Sequence, residues 1–231
     1  MRLVVLLLLA VTGAACRPSG VEVVFQTSDS HRFSISEKRR IERIASTSIV
    51  EVRRLLPMLA TPITLNVSAD KNVIPEIGAT GSADGTSTVQ WKVDPDRPGG
   101  TEGIANAYLR TFLFHELHHL ARLSALPPNG GYIDAMITEG LATAFERDFG
   151  GARPLWGLYP DDVGGWVKEV RALPPKAPRK DWMFQHPDGR RWIGYKVGTY
   201  LVDRAMRASG KSAVDLVAAP THEILRLAGE H

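Results

Sequence analysis

The run His115-Glu116-Leu117-His118-His119 sets two histidines four residues apart, with a glutamate directly after the first. On a helix, residues at i and i+4 lie one turn apart on the same face, so both imidazoles reach one ion. Glu116 projects about 100° further round the helix, near enough to orient a water without ligating the metal. Metal-assisted hydrolysis needs that arrangement. Zinc lowers the pKa of water towards ~7, the glutamate accepts the proton, and the hydroxide attacks a polarised carbonyl. The neighbours argue against an accidental cluster. Phe112-Leu113-Phe114 precede the motif, and Leu117 and Leu120 run through it. A carboxylate and imidazoles buried there without partners would be strongly disfavoured. An ion shared by His115 and His119 removes that penalty, so Zn2+ is the expected cofactor and Glu116 the expected general base.

A catalytic zinc takes three protein ligands and keeps one position open. Glu139, in Ile137-Thr138-Glu139-Gly140-Leu141-Ala142, is the candidate third ligand; the competing reading is a surface glutamate near a helix start. Nineteen residues separate it from His119, enough to finish one helix, turn and begin another. Its neighbours at helical spacing, Ala135, Ala142 and Thr143, are small, a face that lets two helices approach closely. Two residues are candidates for stabilising a developing oxyanion. Tyr195 follows Gly194 at a helix start, and His186 sits in the polar loop Gln185-His186-Pro187-Asp188-Gly189. His118 falls on a different face from the two ligand histidines. Asp134 and Asp203 are both candidates for orienting a ligand imidazole.

The elements that must carry these residues fall into two halves. Strands are expected at Val21–Phe25, Ile63–Val67 and Thr86–Val93, and a helix capped by Ser34 or Ser36 runs to about Leu56, before Pro57. Gly78–Gly85, rich in Gly, Ser and Ala, is expected to be a loop. From residue 101 the pattern is helical: Ile104–Ala125, Ile133–Phe149 closed by Gly150-Gly151, Asp161–Arg171, Trp192–Ala208, and two short helices at the end. Strands first and helices after make an α+β protein. The expected organisation is a single domain over 21–231, with a strand-rich lobe at 21–100 and a helical lobe at 101–231.

The pair HELHH and TEGLATAF resembles the gluzincins, in which the third zinc ligand is a glutamate on a downstream helix. The later stretch Asp181-Trp182-Met183-Phe184, with Trp192-Ile193-Gly194-Tyr195-Lys196-Val197-Gly198-Thr199-Tyr200, is similar to the DUF2268 group of predicted zinc-dependent proteases. The resemblance covers roughly residues 104–208. It implies a zincin-like fold, a small N-terminal sheet over an active-site helix, and a peptide or protein substrate. It also implies that an edge strand before the metal helix, here Thr86–Val93, aligns an extended peptide. Many gluzincins carry an aspartate four residues after the ligand glutamate. Thr143 stands there in this chain, so the support around the metal must differ.

Composition bounds the remaining classes. A 44% hydrophobic and 23% charged chain of 231 residues is an ordinary globular protein able to bury a core. Met1-Arg2, the apolar run Leu3–Val11 and Thr12-Gly13-Ala14-Ala15 read as a signal peptide over 1–15. Cys16, the only cysteine, follows directly and resembles the lipidated cysteine of bacterial lipoproteins, with 16–20 as its linker. Gly13 stands where that family usually has an aliphatic residue. The expected location is therefore the bacterial cell envelope, with the membrane reached through Cys16; the alternative is a soluble secreted or periplasmic protein. Without Arg2, 27 basic side chains face 25 acidic ones, a balance that gives no field for nucleic acid. The basic cluster from Lys38 to Arg54 is interleaved with Glu37, Glu42 and Glu51 and reads as a solvated helix face. Two other functions compete with peptide hydrolysis: a metal-binding lipoprotein without turnover, and a zinc hydrolase acting on a non-peptide amide.

Overall fold

A computed structural model describes residues 20–27, 31–60, 62–127, 130–174 and 176–230. The expected signal peptide and Cys16 lie outside the described residues. Four strands, β1 (Val21–Phe25), β2 (Ile63–Ala69), β3 (Ala79–Asp84) and β4 (Thr88–Val93), form one sheet in the order β1-β2-β4-β3. The first three in that order run parallel, and β3 returns antiparallel to β4. The parallel β1–β2 pair needs a long connection, supplied by helix α1 (Ile35–Leu55). Its start is fixed by a capping box. Ser34 Oγ accepts from the Glu37 backbone N–H at 3.2 Å, and Glu37 Oε2 accepts from the Ser34 N–H at 2.6 Å. That settles the cap on Ser34 rather than Ser36. One stripe of α1, Ile41, Ala45, Ser48, Ile49 and Val52, is buried.

Alternation sets the inner face of the sheet. Ile63, Leu65 and Val67 on β2 and Val89, Trp91 and Val93 on β4 are buried, while the residues between them are half-exposed. One expectation fails here. Residues 79–84 are not a loop but the edge strand β3, and β4, the strand expected to align a substrate, is interior. Gly, Ser and Ala have poor strand propensity; six residue pairs with β4, from Ala79–Val93 to Asp84–Thr88, supply what propensity lacks.

The second half is helical, as the pattern requires. A helical run from Gly100 to Ala125 is made of α2 (Gly100–Ile104), a wide π turn (Ala105–Leu109) and α3 (Arg110–Ala125). Helix α4 (Tyr132–Phe145) continues into a second π turn (Glu146–Gly150), and Gly151 stops it in the left-handed region at φ +85°. Then come α5 (Val163–Arg171), α6 (Arg179–Met183), α7 (Ile193–Ser209) and α8 (Thr221–Leu227). Two short helices were expected at the end; α8 is one, and Ala213–Ala218 form turns instead. Helix α6 is an addition to the expected set. Buried apolar residues from Phe33 to Ala228 form one connected core, to which both the sheet and the helices contribute. Among the described residues no helix is long and apolar enough to cross a membrane.

Candidate metal centre

Helix α3 carries His115, Glu116 and His119 along one wall of a cleft of about 1270 Å³, which β3, α4, α6 and α7 also line. The two imidazoles lie edge to face, with ring centroids 4.8 Å apart. Glu139 enters from α4. Its Oε2 lies 3.2 Å from His115 Nε2 and 3.2 Å from His119 Nε2. One potential ligand atom from each of the three residues lies within 4.8 Å of the others. Two imidazole nitrogens and one carboxylate oxygen converging on a point are the donor set that suits Zn2+, so the residues fit the ion.

Two glycines explain how Glu139 reaches the histidines. Helices α4 and α7 cross at Gly140 and Gly198, and a Cβ on Gly140 would lie 2.2 Å from the Gly198 carbonyl carbon. A Cβ on Gly198 would lie 1.8 Å from the Met136 carbonyl oxygen. Only backbone fits there. The small residues around Glu139 suggested close approach of α4 to α3; the tightest approach is to α7, and it fixes Glu139 from behind.

His115 is 5% exposed and held at both nitrogens. Nε2 faces the cluster, and Nδ1 lies 3.1 Å from Glu146 Oε2. Trp156 Nε1–H donates to the same Glu146 oxygen at 3.2 Å. A carboxylate on Nδ1 fixes the ring and leaves Nε2 for a metal. Neither aspartate named as a candidate does this. Asp134 accepts from the Thr221 hydroxyl, and Asp203 is bound by Arg147 and Tyr159. Thr143, where an aspartate was absent, is buried with its methyl group facing Gly157, at the turn that carries Trp156. The carboxylate on His115 Nδ1 is Glu146, about one turn beyond Thr143 along the helix. The sequence held a signal: Glu146 lies seven residues after Glu139, two turns on and on the same face.

Glu116 is 5% exposed and lines the cleft without a hydrogen bond to the three candidate ligands. Burial raises its pKa, while His115 and His119 oppose that rise. It is roofed by β3: a Cβ on Gly81 would meet Glu116 Oε1 and Phe112 Cδ1, each at 3.1 Å. Burial would also raise Glu139, but His119 and His115 outweigh it and hold this carboxylate far below its ordinary range. Tyr195, on the first turn of α7, stacks on His115 with centroids 6.3 Å apart and lines the same cleft. Burial, then the charges of Glu139 and Glu116, push its phenol well above the ordinary value, so it stays protonated at neutral pH.

The other candidates fall away from the cluster. His186 pairs with Asp188 at 2.8 Å and packs edge-on against Trp182, outside the cleft lining. His118 is fully buried, and its Nε2 lies 3.4 Å from the Ala213 carbonyl oxygen; burial keeps it neutral. One residue of the lining is strained. Trp192, at φ +55°, is the only non-glycine in the left-handed region among the described residues, a conformation that costs a bulky residue roughly 1–2 kcal/mol. It precedes α7 and is held there by its N–H donating to the Phe184 carbonyl at 3.0 Å.

The fold and the cluster together define an α+β protein with a two-histidine, one-glutamate centre compatible with a metal ion. A model of the family described as "Predicted Zn-dependent protease (DUF2268)" matches residues 104–226, more than half of the chain, and the chain belongs to that family. No curated protein and no solved structure matches it.

Proposed function

We propose that this chain is a zinc peptidase of gluzincin type, with His115, His119 and Glu139 as ligands and Glu116 as general base. The observation that carries the reading is the pairing of three converging donor atoms with a fourth, unligating carboxylate on the same cleft wall. A site serving structure alone has no use for a base beside the ion and closes the fourth position. Zinc held there would lower the pKa of water and polarise a carbonyl.

The chain's own residues do the rest. Glu116 accepts the proton of the attacking water, and its buried position raises its basicity. Tyr195, protonated at neutral pH, donates to the carbonyl oxygen as negative charge develops on it. Glu146 keeps the His115 ring from rotating. A peptide is supported as substrate by β3, an edge strand whose residues Thr80 to Ala83 line the cleft. An extended segment can add to that edge through its main chain, and the cleft is larger than a single small ligand needs. This edge lying above the metal helix is also what the zincin-like reading of the fold rests on.

Metal analysis with a library digest tests the reading. Protein purified without chelator should hold about one zinc, His119→Ala should lose it, and only the zinc-loaded wild type should cleave a broad peptide library. Full zinc content in His119→Ala would overturn the ligand set. Export and attachment through Cys16 are a further part of the proposal. Wild type expressed in a bacterial host should take up labelled fatty acid and Cys16→Ser should not, whereas unlabelled, soluble wild type would leave simple secretion.

A further inference from the structure

Apart from Glu116 and Glu139, the charged residues lining the cleft are Lys92, Arg122, Arg179, Arg191 and Asp134. Four are cations. Two of these are neutralised by partners: Lys92 donates to Asp70 at 2.9 Å, and Arg191 pairs with Glu76. Arg122 and Arg179 form no ion pair among the described residues.

Arg122 is the more informative. It lies three residues after His119 on α3, hence on the cleft face of that helix. It is only 5% exposed, yet each of its hydrogen bonds goes to a neutral acceptor. Nε donates to the Thr138 hydroxyl at 3.3 Å, and Nη1 donates to the Val217 and Ala219 carbonyls, both at 2.9 Å. Nη2 donates to nothing among the described residues and is not among the fully enclosed unpaired atoms, and Arg122 lines the cleft. Asp134 lies on the same wall, but its carboxylate is engaged by Thr221 and reaches Arg122 only through space. A buried guanidinium without a carboxylate is unfavourable unless an anion arrives to complete it. Arg179, at the start of α6, is exposed and lines the same cleft as Arg122 and Tyr195.

We propose that the cleft selects peptides bearing a carboxylate near the scissile bond, and that Arg122 and Arg179 receive it. This rests on the peptidase reading and adds the substrate class: acidic peptides, recognised by charge-assisted hydrogen bonds from two guanidinium groups. The carboxylate belongs either to an Asp or Glu side chain or to the free C-terminus of the substrate.

The test uses zinc-loaded full-length protein and peptide sets that differ only in charge. One arm compares Glu with Gln at each position flanking the scissile bond. The other compares free with amidated C-termini. The expected result is a preference of at least ~10-fold in kcat/KM for the carboxylate in one arm, which names the source, and the preference should shrink with added salt. Arg179→Gln changes an exposed side chain without hydrogen bonds, so the fold should survive, and the preference should collapse towards unity. Arg122→Gln should do the same, checked against its melting temperature. Equal rates for all carboxylate and neutral pairs in the wild type would overturn the proposal, as would an undiminished preference in Arg179→Gln together with a folded Arg122→Gln. A library left wholly uncut would defeat the peptidase reading instead. The selectivity would then be decided by binding of the same peptide pairs to zinc-loaded protein, where equal affinity for both members overturns it.

Discussion

Glycines lie both behind and in front of the cluster of His115, His119 and Glu139, and their contacts differ in kind. Behind it, Gly140 and Gly198 bring α4 and α7 together backbone against backbone, where a methyl group would sit 1.8–2.2 Å from main-chain atoms. Nothing there can yield without moving a helix. In front, Gly81 brings β3 down onto α3, and a methyl group would press most closely on side-chain atoms of Glu116 and Phe112, at 3.1 Å, with the Gln90 carbonyl oxygen at an ordinary contact distance of 3.4 Å. Those side-chain atoms can give by a few tenths of an ångström. The rear contact therefore holds the fold and the position of Glu139, whereas the front contact sets the orientation of Glu116. A substitution behind should be felt as stability, and one in front as rate.

Three variants sharpen or break that contrast. Gly198→Ala should be the most damaging, because overpacking against a main-chain carbonyl costs about 3 kcal/mol or more where the backbone cannot relax. Chemical denaturation measures it, and wild-type stability would show that the crossing is looser than described. Glu146→Gln should leave the fold in place but weaken zinc binding by roughly 10- to 100-fold, since the Nδ1 partner of a ligand histidine sets its orientation and basicity. Competition with a chromogenic chelator reads this directly; unchanged affinity would remove Glu146 from the site. Gly81→Ala should have the smallest effect. Strand alanine is favoured over glycine by roughly 0.5–1 kcal/mol, so stability should hold or rise slightly and zinc content should not change. Turnover should fall by about 10-fold as Glu116 is pressed out of line. Loss of fold in Gly81→Ala would erase the distinction between front and rear.

What could be read from the sequence follows from how local each signal is. The helix spans, the Ser34 cap region, the stop at Gly151 and the H-E-x-x-H face of α3 depend on neighbours within a turn or two, and the expected helices match within a few residues. The grouping of Glu139 with the two histidines was legible from its nineteen-residue separation from His119 and its small neighbours at helical spacing, to which the family resemblance added. Strand β3 was not legible, because Gly81, Ser82 and Ala83 describe a loop until β4 pairs with them. Glu146 was missed for a similar reason: its partner His115 is 31 residues away, and the other hydrogen bond to it comes from Trp156 on a separate turn. Arg122 reads in sequence as an ordinary cation in the last turn of a helix; only tertiary structure shows it buried among neutral acceptors.

In the proposed function, Glu116 acts as a base beside the ion and not as part of the cage that holds it. Glu116→Gln keeps nearly the same volume while removing the group that accepts a proton, and the three candidate ligands are left untouched. Zinc content and peptide hydrolysis should be measured on the same preparation at saturating zinc. Zinc content should be unchanged and hydrolysis should fall by at least ~10²-fold, the lower end of what a general base contributes. A Glu116→Gln protein that holds its zinc and cleaves as fast as wild type would rule out Glu116 as the base.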